Sequence, residues 1–356
     1  MGAMKNSLIA FLLLLATDFA SAASAPSATA DSPALQSHRS NDPVTCGSTL
    51  TGKIYTLRGD LDCSNATAPI TIRDRAVLDL NNHLYVGPII LDGRRAQLRN
   101  GTIQCLLAGT NGGPLDDDRC VRVEGEGRHI VQNVFIKYES MDGFGMGIWV
   151  LSDNNLLVNN TFFRTPDTGV FVIGNNNILR QNRAIISNLG AGFYIGAEEN
   201  QLIGNYATSH HAGYLVDGDN NLLIQNVDAG VPDDISATDE GFGIAGSGNR
   251  LTRNVVTNEN FGIFVFTGSN TIENNIAVRN GFDLLDGTKD CSNIWQNNIF
   301  ETSNQPCIGG ATTPLLSMNA LETKAFENFS ALLQKLRKWN PKRGETTPIK
   351  KAGVRP

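Results

Sequence analysis

Through the centre of the chain, apolar and polar residues alternate in short runs that return at a near-fixed interval. Aligned on glycine, the segments read GIWVLSDNNLLVNN from Gly147, GVFVIGNNNILRQN from Gly169 and GFYIGAEENQLIGN from Gly192. They continue as GYLVDGDNNLLIQN from Gly213, GFGIAGSGNRLTRN from Gly241 and GIFVFTGSNTIENN from Gly262, with a degenerate DLLDGTKDCSNIWQNN from Asp283. Successive copies start 21 to 28 residues apart. Each contains a Gly-apolar-x-apolar run, such as Ile148 and Val150, and a Leu-rich run after an Asn, such as Leu222 and Ile224. Runs this short with a period of two predict strands rather than helices. One such unit cannot bury its inward row alone, so the copies must stack as parallel coils about 4.8 Å apart. The expected fold is all-β, a single-stranded parallel β-helix over residues 44–310. Residues 47–90 form its first coils, with AVLDLNNHLYVG as strand, turn and strand.

The register of the repeat assigns most of its conspicuous residues to structure. An Asn follows the turn Asn by five residues, giving Asn160, Asn182, Asn205, Asn226, Asn254, Asn275 and Asn298, with Asn133 and Asn100 as upstream members. Stacked Asn tolerates left-handed backbone angles and can bond to the Asn above and below. The outward middle residue of the first strand stacks as Trp149, Phe171, Tyr194, Leu215, Gly243, Phe264 and Leu285. Insertions at residues 109–119, 139–146 and 231–240 should form loops on one face, where solenoids often place binding sites.

The ends differ from the repeat. Residues 1–22 read as a secretory signal peptide, with Lys5, a short apolar run and the small residues Ala20 and Ala22 before the cut. Residues 23–43 read as a disordered leader. Leu315, Met318, Leu321, Ala325, Phe329, Leu332 and Leu336 fall at helical spacing and predict an amphipathic C-terminal helix over residues 311–340. The outward aromatic stripe is the expected cover for its apolar face. Residues 341–356 are a basic tail, and no later stretch is long enough to span a bilayer.

Composition sharpens this picture in two places. Six cysteines fit an oxidising, extracellular compartment. They allow fifteen pairings, of which the local set is expected: Cys46 with Cys63, Cys105 with Cys120, and Cys291 with Cys307. From Glu322 onward there are nine Lys/Arg and three Asp/Glu, which leaves the body acidic. That disfavours binding of bare nucleic acid by the body. Asn65, Asn100, Asn159 and Asn328 begin glycosylation sequons.

The run CGSTLTGKIYTLRGDLDC, then VLDLNNHLYVG, the repeated GIxVxxxNNxLxxN coils and the closing DLLDGTKDCSNIWQNNIF resemble secreted right-handed β-helix proteins of the pectin-lyase-like superfamily. The resemblance spans residues 46–308. It implies a right-handed coil and a carbohydrate-active function: polysaccharide lyase, glycoside hydrolase, uronate epimerase or non-catalytic glycan binder. The catalytic motifs of polygalacturonases, pectate lyases and epimerases are not present.

Polar candidates gather in the turn leading into the first strand: Asp142, Arg164, Asp167, His210, His211, Asp239, Glu240 and Glu259. Asp142, Asp167, His210 and His211 are the candidate catalytic residues, as paired carboxylates on a glycosidic bond or as a His base on the C5 proton of a uronic acid. Trp149, Phe171 and Tyr194 would stack on sugar rings and Arg164 would bind substrate. Asp239 and Glu240, in the acidic loop PDDISATDE, are candidate calcium ligands. Lys137, Arg180 and Arg183 are candidate bases or carboxylate clamps, and Asp283 and Asp286 are candidate caps of the last coil. The expected protein is a secreted monomer whose partner is a polysaccharide or cell-surface glycan.

Overall fold

The computed structural model describes residues 39–106, 119–140, 145–187, 190–208, 211–230, 240–288 and 290–308. The expected signal peptide, leader, C-terminal helix and basic tail lie outside these residues, as does Asn328. Among the described residues every regular element is a strand. An eleven-stranded parallel sheet runs from Thr49–Thr51 through Met146–Val150, Ala191–Ile195 and Glu240–Ile244 to Phe282–Asp286. Two further parallel ladders form the other faces. The nine-residue strands Gln97–Cys105 and Ile130–Tyr138 bend through both of them, whereas later coils break into pairs such as Leu156–Val158 and Thr161–Thr165. Each coil therefore carries three strands, one more than the alternation in the sequence reveals.

Side chains alternate in and out of this prism, and the inward ones stack in columns. On the second face Leu157, Leu179, Leu202, Leu223, Leu251 and Ile272 lie in register and are fully buried. Each such side chain contributes roughly 1.5–3 kcal/mol of burial. Beneath the first face, Phe193, Tyr214 and Phe242 stack inside with ring centroids 5.0 and 4.6 Å apart and planes within 6°. The disulfides are the local pairs Cys46–Cys63, Cys105–Cys120 and Cys291–Cys307. At the C-terminal end the aliphatic column stops at Asp286, which accepts hydrogen bonds from Thr288, Asn293 and Trp295 Nε1. Asp283 likewise accepts from the Glu301 and Thr302 amides, so both acids act as caps.

Two buried asparagine ladders hold consecutive coils together. In one, Asn182 donates its backbone N–H and its Nδ2 to Asn205 Oδ1 (2.9 and 3.1 Å), and a second Nδ2 proton to Leu157 O (2.9 Å). The same bonds repeat from Asn160 to Asn298. The other ladder uses the turn asparagines, from Asn155 to Asn293. Its N-terminal member is His129, fully buried, whose N–H donates to Asn155 Oδ1 while its Nδ1 accepts the Ala96 amide and its Nε2 donates to Glu124 O. Asn133 and Asn100 do not continue the Asn160 row. They stack outside with Asn159, which donates to Asn133, which donates to Asn100. The positions that continue the Asn160 row in those coils are Val134, which is buried and donates its amide to Asn160 Oδ1, and Gly101, which pairs with Val134. The sequons at Asn159 and Asn100 therefore begin on side chains of an exterior row, whereas Asn65 is exposed.

The ladders also fix where the coil can change length. In the coils from Val150 to Asn270 the step from the last inward residue of the first strand to the turn Asn is five residues, as in Val172 to Asn177, Ile195 to Asn200 and Val216 to Asn221; it is six from Val123 to His129 and seven from Asp286 to Asn293. Between the second Asn and the next first strand the count varies, from nine between Asn205 and Tyr214 to sixteen between Asn226 and Phe242. In the coils between those ends, the length variation sits at this third corner.

Two outcomes follow. Asn205→Ala strands the Asn182 donors and the Leu179 carbonyl in a dry interior, and should cost about 2–4 kcal/mol in urea unfolding. Burial lowers the pKa of His129, against smaller upward pulls from its contacts with Glu124, Asp92 and Ala96. The unfolded chain then binds more protons than the native one, so stability should fall as pH drops from about 6.5. His129→Asn should flatten that part of the stability profile.

Candidate functional site

The outer face of the eleven-stranded sheet carries the aromatic column in the register expected from the sequence: Trp149, Phe171, Tyr194, Leu215, Gly243, Phe264 and Leu285 lie side by side across successive strands. Phe171 and Tyr194 are parallel, 4.5 Å apart with planes at 7°, and Trp149 meets Phe171 edge-on at 6.0 Å. Tyr194 donates its hydroxyl to Asp217 Oδ2 at 2.6 Å. That bond, with burial and the carboxylate charge behind it, pushes the phenol up to about 12. The ring is therefore held at one orientation with a fixed polar edge.

The column is interrupted at Gly243, where the Glu240 carboxylate occupies the space a side chain would take. A β-carbon there would collide with Glu240 Oε2 and crowd Leu215. Glu240 opens the strand Glu240–Ile244, and its carboxylate folds back over the gap in the stripe. Phe261 and Phe264 follow in the next coil, at the positions paired with Glu240 and Gly243. Burial raises the pKa of Glu240, and the nearby charge of His211 partly offsets it. His211, exposed, precedes the neighbouring strand Ala212–Val216, and its carbonyl accepts the Glu240 amide at 3.2 Å. The structure thus brings together His211, Glu240 and the stripe.

The remaining candidates are scattered. Asp167 is half-buried in the turn before Val170–Val172, two coils from His211, where it accepts from Thr168. Arg164 is not in that turn: it lies in the strand Thr161–Thr165 with φ of 54° and an exposed side chain. Glu259 is buried with its carboxylate against Gly230. Lys137, Arg180 and Arg183 lie in the ladders of the second and third faces, away from the stripe. Asp142, His210 and Asp239 lie outside the described residues. Among the described residues no group of three or more His, Cys, Asp or Glu is arranged to hold a metal ion, and no helix is long and apolar enough to cross a membrane.

One buried acid escapes sequence reading. Asp228 takes the inward position between Ala207 and Val256 on the third face and is fully buried. A β-carbon on Gly213 would collide with its carboxylate. The field of Asp228 adds to burial in raising the pKa values of Tyr206 and Tyr214. The signal was available as a charge within an otherwise apolar inward series.

Residues 146–300 match the family described as the right-handed beta helix region. The coils form a right-handed parallel β-helix. Among solved structures, a mannuronic acid specific polysaccharide family 6 lyase enzyme from human gut microbiota is similar, with a TM-score of 0.47 and 12% identity over 81% of this chain and 76% of that one. No curated protein matches the chain.

The raised pKa of Glu240 has a measurable consequence. Between the ordinary carboxylate range and its own raised value, the native state holds a proton that the unfolded chain has lost, so ionisation costs stability as pH rises. Glu240→Gln should therefore raise the melting temperature at about pH 7 more than at about pH 4, where both side chains are neutral. An equal shift at both pH values would count against the desolvated carboxylate.

Proposed function

We propose that the protein is an extracellular carbohydrate-active β-helix whose outer sheet face binds a glycan chain along the coil axis. The observation that carries this reading is the aromatic column with its polar edge: Trp149, Phe171 and Tyr194 in register, Tyr194 pinned by Asp217, and Glu240 in the gap at Gly243. The stacked rings form an apolar ridge along the sheet face for the C–H faces of sugar rings, and the fixed hydroxyl–carboxylate edge offers partners to their hydroxyls. Three disulfides suit an oxidising extracellular site.

Glu240 and His211 are the acid–base pair of this reading. Burial shifts the Glu240 carboxyl toward its protonated form, the direction that favours proton donation. On a uronate chain, His211 takes the C5 proton, the electron pair of the C–H bond forms the C4–C5 double bond, the C4–O bond breaks, and Glu240 protonates the departing oxygen. All atoms are then accounted for without a further reactant.

Incubation with a panel of polyuronates and neutral polysaccharides tests the proposal. Elimination is read as absorbance from unsaturated ends, and hydrolysis as reducing ends without that absorbance. Phe171→Ala and Tyr194→Ala should each weaken binding roughly tenfold, and Glu240→Gln should abolish turnover while leaving binding in place. Binding without turnover would leave a glycan-binding protein and remove the acid–base assignment. No binding to any glycan would overturn the reading.

A further inference from the structure

The corner between the first and second faces is left-handed in successive coils, and one aligned row of residues has positive φ, joined in the N-terminal coils by neighbours such as Asp74, Gly93 and Gly127. Running along the axis the row is Arg75, Arg95, Arg128, Asn154, Asn176, Glu199, Asn220, Gly248 and Ser269, with φ between 55° and 70°. Backbone bonds place them in one row: the amide of Arg75 binds Arg94 O, that of Arg95 binds Gly127 O, that of Arg128 binds Asp153 O, and that of Asn154 binds Asn175 O. Asn and Gly suit this conformation and Arg does not. Three successive coils nonetheless carry Arg, about 4.8 Å apart, where like charges repel.

The other arginines nearby are paired. Arg73 meets Asp92, Arg99 meets Asp79, and Arg122 meets Glu124. Among the described residues the side chains of Arg75, Arg94, Arg95 and Arg128 have neither ion pair nor hydrogen bond. Charge along the chain points the same way. Residues 39–140 hold twelve Lys/Arg and twelve Asp/Glu, whereas residues 141–308 hold seven and eighteen. The N-terminal coils are therefore the part of an acidic solenoid that an anion can approach.

We infer that Arg75, Arg94, Arg95 and Arg128 form an anion-binding strip for a linear polysaccharide bearing carboxylate or sulfate groups, at the edge of the eleven-stranded sheet and separate from its aromatic column. Guanidinium groups fork onto carboxylate and sulfate oxygens, and a row one side chain wide fits a thin chain with anions repeated along it. A nucleic acid duplex would also meet Asp74, Glu126 and the acidic later coils. The strip does not depend on the glycan reading of the sheet face.

The test compares the full chain with the triple variant Arg75→Asn, Arg95→Asn and Arg128→Asn, which installs the residue that later coils use at this position. The probes are polygalacturonate, dextran sulfate, neutral dextran and single-stranded DNA. The wild type should bind one or both anionic polysaccharides in a salt-sensitive manner, and the triple variant should bind roughly tenfold or more weakly with an unchanged or higher melting temperature. Phe171→Ala should leave this binding intact, so a failure of the sheet-face reading is scored separately. Equal binding by the triple variant, a lower melting temperature for it, or tighter binding of DNA than of either polysaccharide would overturn the inference.

Discussion

From Asn155 onward each coil has to satisfy its backbone amides at two tight corners in a dry interior, and the asparagine ladders do this. A buried amide without a partner costs more than most single contacts contribute. Asn is short enough to reach the next coil, tolerates the local turn, and both accepts and donates. One Oδ1 takes two donors from the preceding coil while the Nδ2 of the same residue serves the next Asn and a Leu carbonyl. The Asn-to-Asn bonds run in one sense along the axis and polarise one another, whereas the bond to the Leu carbonyl points back to the preceding coil. In the turn ladder the row ends where Asn293 Nδ2 meets the carboxylate of Asp286.

From this constraint the aromatic column acquires its geometry. A fixed five-residue step between the first strand and the turn Asn locks the register of the outward residues as firmly as that of the inward ones. Trp149, Phe171 and Tyr194 are aligned because the asparagines beside them are. The open position at Gly243 is equally determined: the strand supplies no side chain there, and Glu240 reaches back from the strand's first residue into a partly apolar setting.

The same step explains what the sequence disclosed. The coils, their register and the outward stripe were legible because the spacing from Gly147 onward is regular. The third strand of each coil was not, because the segment holding Thr161–Thr165 runs into a stretch of variable length that breaks the periodicity. Asn133 and Asn100 were placed in the wrong row because Asn159 and Asn160 are adjacent, and a slip of one residue moves a side chain from inside to outside. His129 was missed as a ladder member because it is not an Asn, although its Nδ1 does the accepting work. Of the candidate site, His211 and Glu240 were visible as turn residues, but a long-range fold-back such as Glu240 over Gly243 leaves no local pattern. The charges of Arg75, Arg95 and Arg128 were plain in the sequence, whereas their alignment needed the coil geometry.

In the central coils, from Asn155 to Asn275, length change is confined to the third corner, which divides them into a part that stays constant and a part that does not. Their other two corners keep one length and are held by the asparagine bonds to the coils on either side. The third accommodates nine residues or sixteen with the neighbouring coils still in register. New segments can therefore accumulate along a single edge, each entering at the start of a first-face strand beside the stripe. A lineage of such proteins could diversify what it recognises one coil at a time, on a frame that stays the same.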